Sequence, residues 1–283
     1  MGIQSTIEAS TSKFTPATQR VASAVLANPT LVMEKTISEL ASFCQTSVAS
    51  VVRFCRILGL SGYSQLRMTL ATELGREAAQ FGSSQTLGAE IAKSDTLQEI
   101  AAKIASLEML AIDETLNGLD YTVLERVVAL IDQAPRILLF GIGASQFVAR
   151  DLHHKLFRIG RSAFLLTDTH EAWSSVLLAP EGTVAIGFSH SGETADTVRF
   201  VELARDAGIH TLAITGSPDS SIAQAARDCL TTSARESHLR AGAMVSRIAQ
   251  LLIVDCLFMG VARQRYDETI DALRRTRDVT HPR

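Results

Sequence analysis

The apolar positions of this chain follow two different patterns of spacing. Between residues 14 and 80 they recur at spacings of three and four, which is typical of amphipathic helices. After Pro135, short apolar runs alternate with helical stretches instead. The first pattern predicts an all-α N-terminal domain, and the second pattern predicts a C-terminal α/β domain.

Within the first domain, two short helices are predicted to meet at a sharp turn. A capping box of Thr36 and Glu39 begins a helix that continues through Phe43. Ser47 then caps a second helix over residues 48–58. This spacing is typical of a helix-turn-helix, in which the first helix supports the second in the DNA major groove.

The second helix of this pair has an apolar side and a polar side. The residues expected to face the core are Val48, Val51, Val52 and Cys55. The residues expected outside, and therefore at DNA, are Ser47, Ala49, Ser50, Arg53 and Arg56. Small polar side chains let a helix approach base edges closely, and an arginine reaches a phosphate or a guanine. The alternative interpretation is a solvated surface on a packed three-helix unit.

Five short apolar runs in the second domain are predicted to be strands. They cover residues 137–140, 163–166, 183–188, 211–214 and 230–232. Because helical stretches separate them, we expect a parallel five-stranded sheet flanked by helices on both faces. Sheets of this type bind ligands at the carboxyl ends of their strands.

Two of those strand ends are rich in glycine and serine. The segment 141–145, Gly-Ile-Gly-Ala-Ser, lacks the third glycine of a dinucleotide-binding fingerprint, so no nicotinamide cofactor is expected. The segment 189–194, Ser-His-Ser-Gly-Glu-Thr, joins a strand directly to a helix start. Free backbone N–H groups and the helix dipole there suit a dianionic phosphate, and three hydroxyls add donors. An ordinary capped loop is the alternative.

Composition narrows the class of protein. The 283 residues are 46% hydrophobic and 20% charged, with a formal net charge of −3, which is an ordinary globular balance. No apolar run approaches the roughly 18 residues of a membrane span, and no secretory signal is visible, so a soluble cytoplasmic protein is expected. Four scattered cysteines indicate neither a disulfide framework nor a metal site.

Charge is distributed unevenly along the chain. Residues 1–76 carry seven basic and four acidic side chains, although the chain as a whole is acidic. This asymmetry favours an N-terminal domain that faces a polyanion.

The segment from Ser47 to Arg67 resembles the helix-turn-helix signature of RpiR-type transcriptional regulators. The residues that carry the resemblance are the Val-Arg-Phe triplet at 52–54, the Leu-Gly pair at 58–59, the Gly-Tyr pair at 62–63 and the Leu-Arg pair at 66–67. The resemblance implies that the N-terminal domain binds double-stranded DNA.

The loops at 141–145 and 189–194 together resemble the sugar isomerase (SIS) domain, a flavodoxin-like fold that binds phosphosugars. The resemblance covers about residues 120–262 of the chain. The phosphate-binding residues that it implies are Ser189, Ser191 and Thr194, with backbone help from His190 and Gly192.

The same resemblance implies two contacts outside the second loop. Ser145 is expected to contact the sugar or the phosphate from the first loop. Glu236 matches a position where related isomerase domains place a carboxylate on the sugar, and a surface ion pair with Arg240 is the alternative.

Three segments are predicted from these observations. They are a helix-turn-helix DNA-binding domain at 1–81, a linker and connecting helix at 82–119, and an SIS domain at 120–283. The predicted function is a transcriptional regulator, acting on genes of carbohydrate metabolism, whose operator binding responds to a phosphosugar. The chain resembles regulators of amino-sugar use, including the N-acetylmuramate-6-phosphate type.

The expected partners follow from this function. They are duplex DNA, a phosphosugar effector and further copies of the chain in a homodimer or homotetramer, with no cofactor, no metal and no membrane. The alternative function is a sugar-phosphate isomerase or lyase, which would need a positioned base and acid that no spacing in the sequence brings together.

Overall fold

The computed structural model describes residues 2–81, 94–234 and 243–280. The chain divides into two compact units, and the division falls after Leu110. The predicted linker that begins at Gly82 lies outside the described residues. The predicted domain boundaries at residues 81 and 119 stay predictions.

The first unit is built from helices. They are α1 (Ile3–Ala9), α2 (Pro16–Ala27), α3 (Leu31–Glu34), α4 (Ile37–Phe43), α5 (Val48–Ile57), α6 (Tyr63–Phe81) and the first part of α7 (Leu97–Gly118), with a short 3₁₀ turn at Thr11–Lys13. The apolar sides of α1 to α6 meet in a core that includes Val21, Leu40, Val51, Phe54 and Leu66. The predicted helical N-terminal domain and its pair of short helices, α4 and α5, are confirmed.

Local sequence signals explain where α4 and α5 begin and end. Thr36 Oγ1 accepts the backbone N–H of Glu39, and the Glu39 carboxylate accepts the N–H of Thr36 at 2.7 Å. These hydrogen bonds hold the pKa of Glu39 below its usual value. Ser47 Oγ accepts the N–H of Ser50 at 3.2 Å at the start of α5, and Gly59, with a φ of 75°, ends that helix.

Helix α1 has no comparable local signal, and the sequence did not predict it. A helix of seven residues is unstable on its own. The carboxylate of Glu73 on α6, only 8% exposed, accepts the N–H of Ile3 at 2.8 Å. A negative charge at a helix start is favourable, so a residue that is distant in sequence stabilises α1.

The second unit contains the sheet. Its strands are β1 (Ile137–Gly141), β2 (Ala163–Leu166), β3 (Val184–Phe188), β4 (His210–Thr215) and β5 (Asp228–Thr231). Its helices, after the end of α7, are α8 (Tyr121–Gln133), α9 (Ala144–Arg158), α10 (Thr169–Leu177), α11 (Ala195–Asp206), α12 (Ser221–Ala225), α13 (Met244–Gln264) and α14 (Tyr266–Thr280). All pairings are parallel in the order β2-β1-β3-β4-β5, which confirms the predicted flavodoxin-like sheet.

Alternate residues of the central strands are buried on opposite faces of the sheet. Ile137 and Leu139 of β1 belong to a core shared with α8, α9 and α13. Leu138 and Phe140 of the same strand belong to a second core with α10, α11 and α12. Every residue of β1 and of β3 is buried, which explains why these strands are continuous apolar runs in the sequence.

Helix α13 is the long apolar helix of this unit. Its 21 residues are long and apolar enough to cross a membrane, by length and composition only. The short apolar runs in the sequence did not indicate a helix of this kind. Ala249, Ile253, Val254 and Leu257 are instead buried in the core beside the sheet. Helix α13 therefore packs as the core helix of an α/β domain.

A buried carboxylate joins β5 to its neighbours at the amino end of the sheet. Asp228, 5% exposed, accepts hydrogen bonds from Arg126 Nε at 3.3 Å and lies 2.7 Å from His210 Nε2. Burial acts to raise the pKa of Asp228, but the hydrogen bonds from Arg126 and His210 outweigh it and the pKa is lowered.

Replacing Asp228 with asparagine is expected to lower the free energy of unfolding by about 1.5–3 kcal/mol at pH 7, because it removes a buried charged acceptor. The folded-state pKa lies below that of the unfolded chain, roughly 3.9. The stabilisation is therefore present above that value and is lost as pH falls through the folded-state pKa. Urea unfolding followed by the fluorescence of Trp173, the single tryptophan, measures this at pH 7 and at pH 3.

The matched control is Asp206→Asn, which changes an exposed carboxylate on α11. It is expected to alter the free energy of unfolding by less than about 0.5 kcal/mol. A difference between Asp228→Asn and the parent that stays constant from pH 7 to pH 3 would contradict a role for the charge.

Candidate functional site

The loops that follow β1 and β3 lie side by side because these strands are neighbours in the sheet. Gly141 at the end of β1 pairs with Phe188 at the end of β3. The segments 141–145 and 189–194 therefore meet at the carboxyl edge, where such sheets bind ligands. Between them lies a pocket of about 300 Å³.

The pocket gathers residues from both predicted loops. The predicted ligand-binding residues in its lining are Ser145, Ser189, His190, Ser191 and Thr194. The other described lining residues are Ile142, Ala144 and Ala243. Gly192 is a buried residue of the second loop and is not among the described lining residues, and Glu236 lies outside the described residues.

Three helices, α9, α11 and α13, begin at this pocket. Within the described chain, their N-cap residues Gly143, Thr194 and Ala243 make no side-chain capping bond. Helices α8 and α10, in contrast, are capped by Asp120 and Asp168. First-turn N–H groups without a cap and the positive ends of three helix dipoles favour an anion.

Hydrogen bonds within the second loop fix its shape. Ser189 Oγ accepts the N–H of Gly192 at 3.1 Å and lies 3.1 Å from Thr194 Oγ1. Ser191 Oγ accepts the N–H of Glu193 at 3.3 Å. Ser189 is buried, whereas Ser191 is exposed and Thr194 is half-buried. Ser189 therefore helps to shape the loop, and Ser191 and Thr194 are the more exposed of its three hydroxyl residues that line the pocket.

Glu193 anchors the same loop. It was not among the site residues predicted from the sequence. Its carboxylate accepts the N–H of Ser221 at 3.0 Å and the hydroxyl of Ser221 at 2.6 Å, at the start of α12. The carbonyl of His190 accepts the N–H of Gly216 at 2.9 Å. Glu193 and Ser221 are 28 residues apart, so no local pattern could have predicted this anchor.

Close packing fixes two further positions of the site. Gly192 has a φ of 72°, and a Cβ there would lie 2.1 Å from Ser220 Oγ, so only glycine fits. The ring of His190 lies against Gly216, where a Cβ would be 2.7 Å from the ring Cε1. His190 is thus a packing group of the loop as well as part of the pocket lining.

In the first unit, α5 exposes most of the residues predicted to contact DNA. Ser47, Ala49, Arg53 and Arg56 are exposed, and Ser50 is half-buried. The buried residues of α5 are Val51, Phe54 and Cys55. The expectation that Val48 faces the core is wrong, because the buried stripe begins one turn later and Val48 is 41% exposed.

The turn between α4 and α5 is held by an arginine from α2. Gln45 has a φ of 50°, which is unusual for a residue other than glycine. The Arg20 guanidinium donates to the carbonyl of Cys44 at 3.0 Å and to that of Gln45 at 2.9 Å. These bonds satisfy carbonyls that the end of α4 leaves without helical partners.

Helix α6 holds the chain at the other end of α4, where α3 ends and α4 begins. Tyr63 Oη donates to the carbonyl of Lys35 at 2.9 Å, and Arg67 donates to that of Met33 at 2.6 Å. Met33 lies in α3 and Lys35 follows that helix directly, so both bonds hold the chain just before α4. Tyr63 and Arg67 of the signature therefore position the chain that enters the helix-turn-helix.

Comparisons with known proteins decide the family. Residues 1–77 match the rpiR-family helix-turn-helix domain, and residues 130–260 match the SIS domain. An uncharacterised HTH-type transcriptional regulator of Caldanaerobacter subterraneus is 36% identical over 95% of this chain and 93% of its own length. This chain belongs to the RpiR family. A second relative of this RpiR-family chain, the uncharacterised HTH-type transcriptional regulator YbbH of Bacillus subtilis, is 34% identical over 94% of this chain and 92% of its own length.

Solved structures share the fold of this chain. The Vibrio vulnificus NanR protein, complexed with ManNAc-6P, is 29% identical with a TM-score of 0.61, and the match covers 98% of this chain and 97% of NanR. The sugar isomerase domain of an RpiR transcription factor from Sphaerobacter thermophilus has a TM-score of 0.58 at 24% identity and covers 63% of this chain and 98% of its own. The resemblances that the sequence carried at 47–67 and at the two loops are confirmed at the level of family and fold.

Proposed function

We propose that this RpiR-family protein is a transcriptional regulator that binds duplex DNA through α5 and a phosphosugar through the pocket between β1 and β3. The phosphosugar changes its affinity for DNA. The observation that carries the ligand half of the proposal is the meeting of three helix starts at a pocket lined by serine and threonine residues, where no N-cap side chain makes a capping bond among the described residues. Such a site suits a phosphate dianion.

Each loop residue has its own part in this proposal. Ser191 and Thr194 donate hydrogen bonds to the phosphate, while Ser189 and Gly192 keep the loop in the shape that presents them. Ser145 contacts the ligand from the first loop, and Glu236 accepts hydrogen bonds from sugar hydroxyls. Because NanR is complexed with ManNAc-6P, we propose an amino-sugar phosphate as the ligand class.

We further propose that the pocket binds this ligand without converting it. Aldose–ketose isomerisation needs a base that removes a proton next to the carbonyl. Among the described lining residues, His190 alone has an ionisable side chain, and its ring packs against Gly216. The relatives that share nearly the whole chain are named as transcriptional regulators, which supports sensing over catalysis.

Replacing Ser50 and Arg53 together with alanine is expected to weaken specific DNA binding by about 1–3 kcal/mol, because Arg53 is exposed at α5 and free to reach a guanine or a phosphate. The measurement is fluorescence anisotropy with a duplex that the parent protein selects from a random library. If Arg53 reads a base, the loss is largest on the selected duplex; if it holds a phosphate, all duplexes weaken alike.

The control for this experiment is Arg199→Ala, which removes the same charge from the exposed surface of α11 in the other unit. It is expected to leave the affinity for the selected duplex within twofold. Unchanged binding by the Ser50→Ala, Arg53→Ala protein would overturn the assignment of α5 as the recognition helix.

We also propose that the protein acts in the cytoplasm as a homodimer or homotetramer. One helix-turn-helix offers few contacts, whereas two related by a two-fold axis hold half-sites about one helical turn apart, or a multiple of that spacing. This arrangement gives the operator affinity that a regulator needs.

A further inference from the structure

Gln250 is a buried polar residue on the mostly apolar buried side of α13. It is 1% exposed, and its buried neighbours on the helix include Ala249, Ile253 and Val254. Its amide Nε2 has no hydrogen-bond partner among the described residues. Because an unpaired buried amide costs free energy, packing alone does not account for a glutamine at this position.

The one hydrogen bond that the Gln250 side chain makes within the described residues leads to the pocket. Its Oε1 accepts the hydroxyl hydrogen of Ser145 at 3.4 Å, across the contact between α13 and α9. Ser145 lines the pocket at the start of α9. Gln250 therefore lies directly behind a residue of the proposed ligand site.

This bond decides what Ser145 can offer to a ligand. A serine hydroxyl has one proton and two lone pairs. Because the proton is directed at Gln250, the lone pairs of Ser145 are left for the pocket. The phosphate group of a sugar phosphate dianion has only acceptor oxygens and gains nothing from another acceptor, whereas a sugar hydroxyl or an amide N–H can donate to the Ser145 oxygen.

We propose that Gln250 is a positioning residue that makes Ser145 a hydrogen-bond acceptor for a hydroxyl or N–H group of the sugar. In this arrangement the pocket has two ends. The phosphate lies at Ser191 and Thr194, and the sugar lies at Ser145, so the protein discriminates a phosphosugar from inorganic phosphate. The inference rests on the proposed function and assigns the part of the ligand that Ser145 recognises.

The test is a double-mutant cycle with Ser145→Ala and Gln250→Met, in which methionine keeps the length and volume of the side chain without its polar atoms. Calorimetric titration uses inorganic phosphate and the tightest binder among glucose 6-phosphate, glucosamine 6-phosphate, N-acetylmannosamine 6-phosphate and N-acetylmuramate 6-phosphate. Gln264→Met, an exposed position near the end of the same helix, is the control.

Each single variant is expected to weaken phosphosugar binding about tenfold, the effect of one lost hydrogen bond. Binding of inorganic phosphate should stay within twofold of the parent. Because Gln250 acts through Ser145, the double variant should bind no more weakly than Ser145→Ala alone. Gln250→Met should unfold thermally at the parent's temperature or above it, since it removes an unpaired buried amide.

Three results would overturn the inference while leaving the proposed function intact. They are equal losses for the phosphosugar and for inorganic phosphate, additive losses in the double variant, or unchanged phosphosugar binding by Gln250→Met. If Gln250→Met does not fold, Gln250→Leu is used in the same cycle. A parent that binds none of the phosphosugars more tightly than inorganic phosphate would overturn both the inference and the proposed function.

Discussion

Replacing Gly192 with alanine is expected to lower the free energy of unfolding of the second unit by about 2–5 kcal/mol. Two costs add. The φ of 72° strains any residue other than glycine, and the new Cβ would meet Ser220 Oγ at 2.1 Å and Ser220 Cβ at 2.2 Å. Ser220 is 2% exposed, and its hydroxyl donates to the carbonyl of Ser217 at 2.6 Å, so it has little room to move.

Gly208→Ala is the matched control for this variant. Gly208 also has a positive φ, 78°, but a Cβ there would have nothing within 4 Å. It therefore carries the conformational cost alone, about 1 kcal/mol. Urea unfolding followed by Trp173 fluorescence reports on the second unit. Equal destabilisation by the two variants would show that Ser220 does not restrict this loop.

The second large effect is expected from replacing Ser191 and Thr194 together with alanine. In the proposed site both hydroxyls donate to the phosphate, and each charge-assisted hydrogen bond to a phosphate contributes roughly 1.5–3 kcal/mol. Phosphosugar affinity should therefore fall at least about a hundredfold. Calorimetric titration with the phosphosugar that the parent binds most tightly measures the loss.

A control double variant shows whether the loss of phosphosugar affinity is specific to hydroxyls in the pocket. Thr122→Ala with Ser174→Ala removes the same two types of hydroxyl from exposed positions on α8 and α10. Neither residue lines the pocket, so phosphosugar affinity should be unchanged. If the control double variant loses as much affinity as Ser191→Ala, Thr194→Ala, the loop is not the phosphate site.

Much of the fold was predictable from sequence because its signals are local. The Thr36–Glu39 capping box and the Ser47 cap fix α4 and α5 within a few residues. The buried strands β1 and β3 are apolar runs because both faces of the sheet are covered. Helix α1 was not predictable, because Glu73 stabilises it across 70 residues of sequence.

The candidate site also combines a local sequence motif with contacts between residues that are distant in the chain. The hydroxyl-rich loop at 189–194 is a continuous motif, so the sequence could indicate it. The contacts behind it are distant in the chain: Gln250 and Ser145 are 105 residues apart. A glutamine among the apolar residues of α13 was the one available signal, and periodicity alone does not say which residue such a side chain meets.

The central claim is that a phosphosugar in the pocket changes DNA binding by the other unit. The direct test is the affinity for the selected duplex, with and without saturating phosphosugar, in the parent and in the Ser191→Ala, Thr194→Ala protein. The account predicts that the ligand shifts the parent's affinity by about 5- to 150-fold, which corresponds to a coupling of roughly 1–3 kcal/mol. The double variant should bind the duplex as the unliganded parent does and should not respond to the ligand. A double variant that responds as the parent does, or a parent that converts the phosphosugar rapidly to product, would contradict the account.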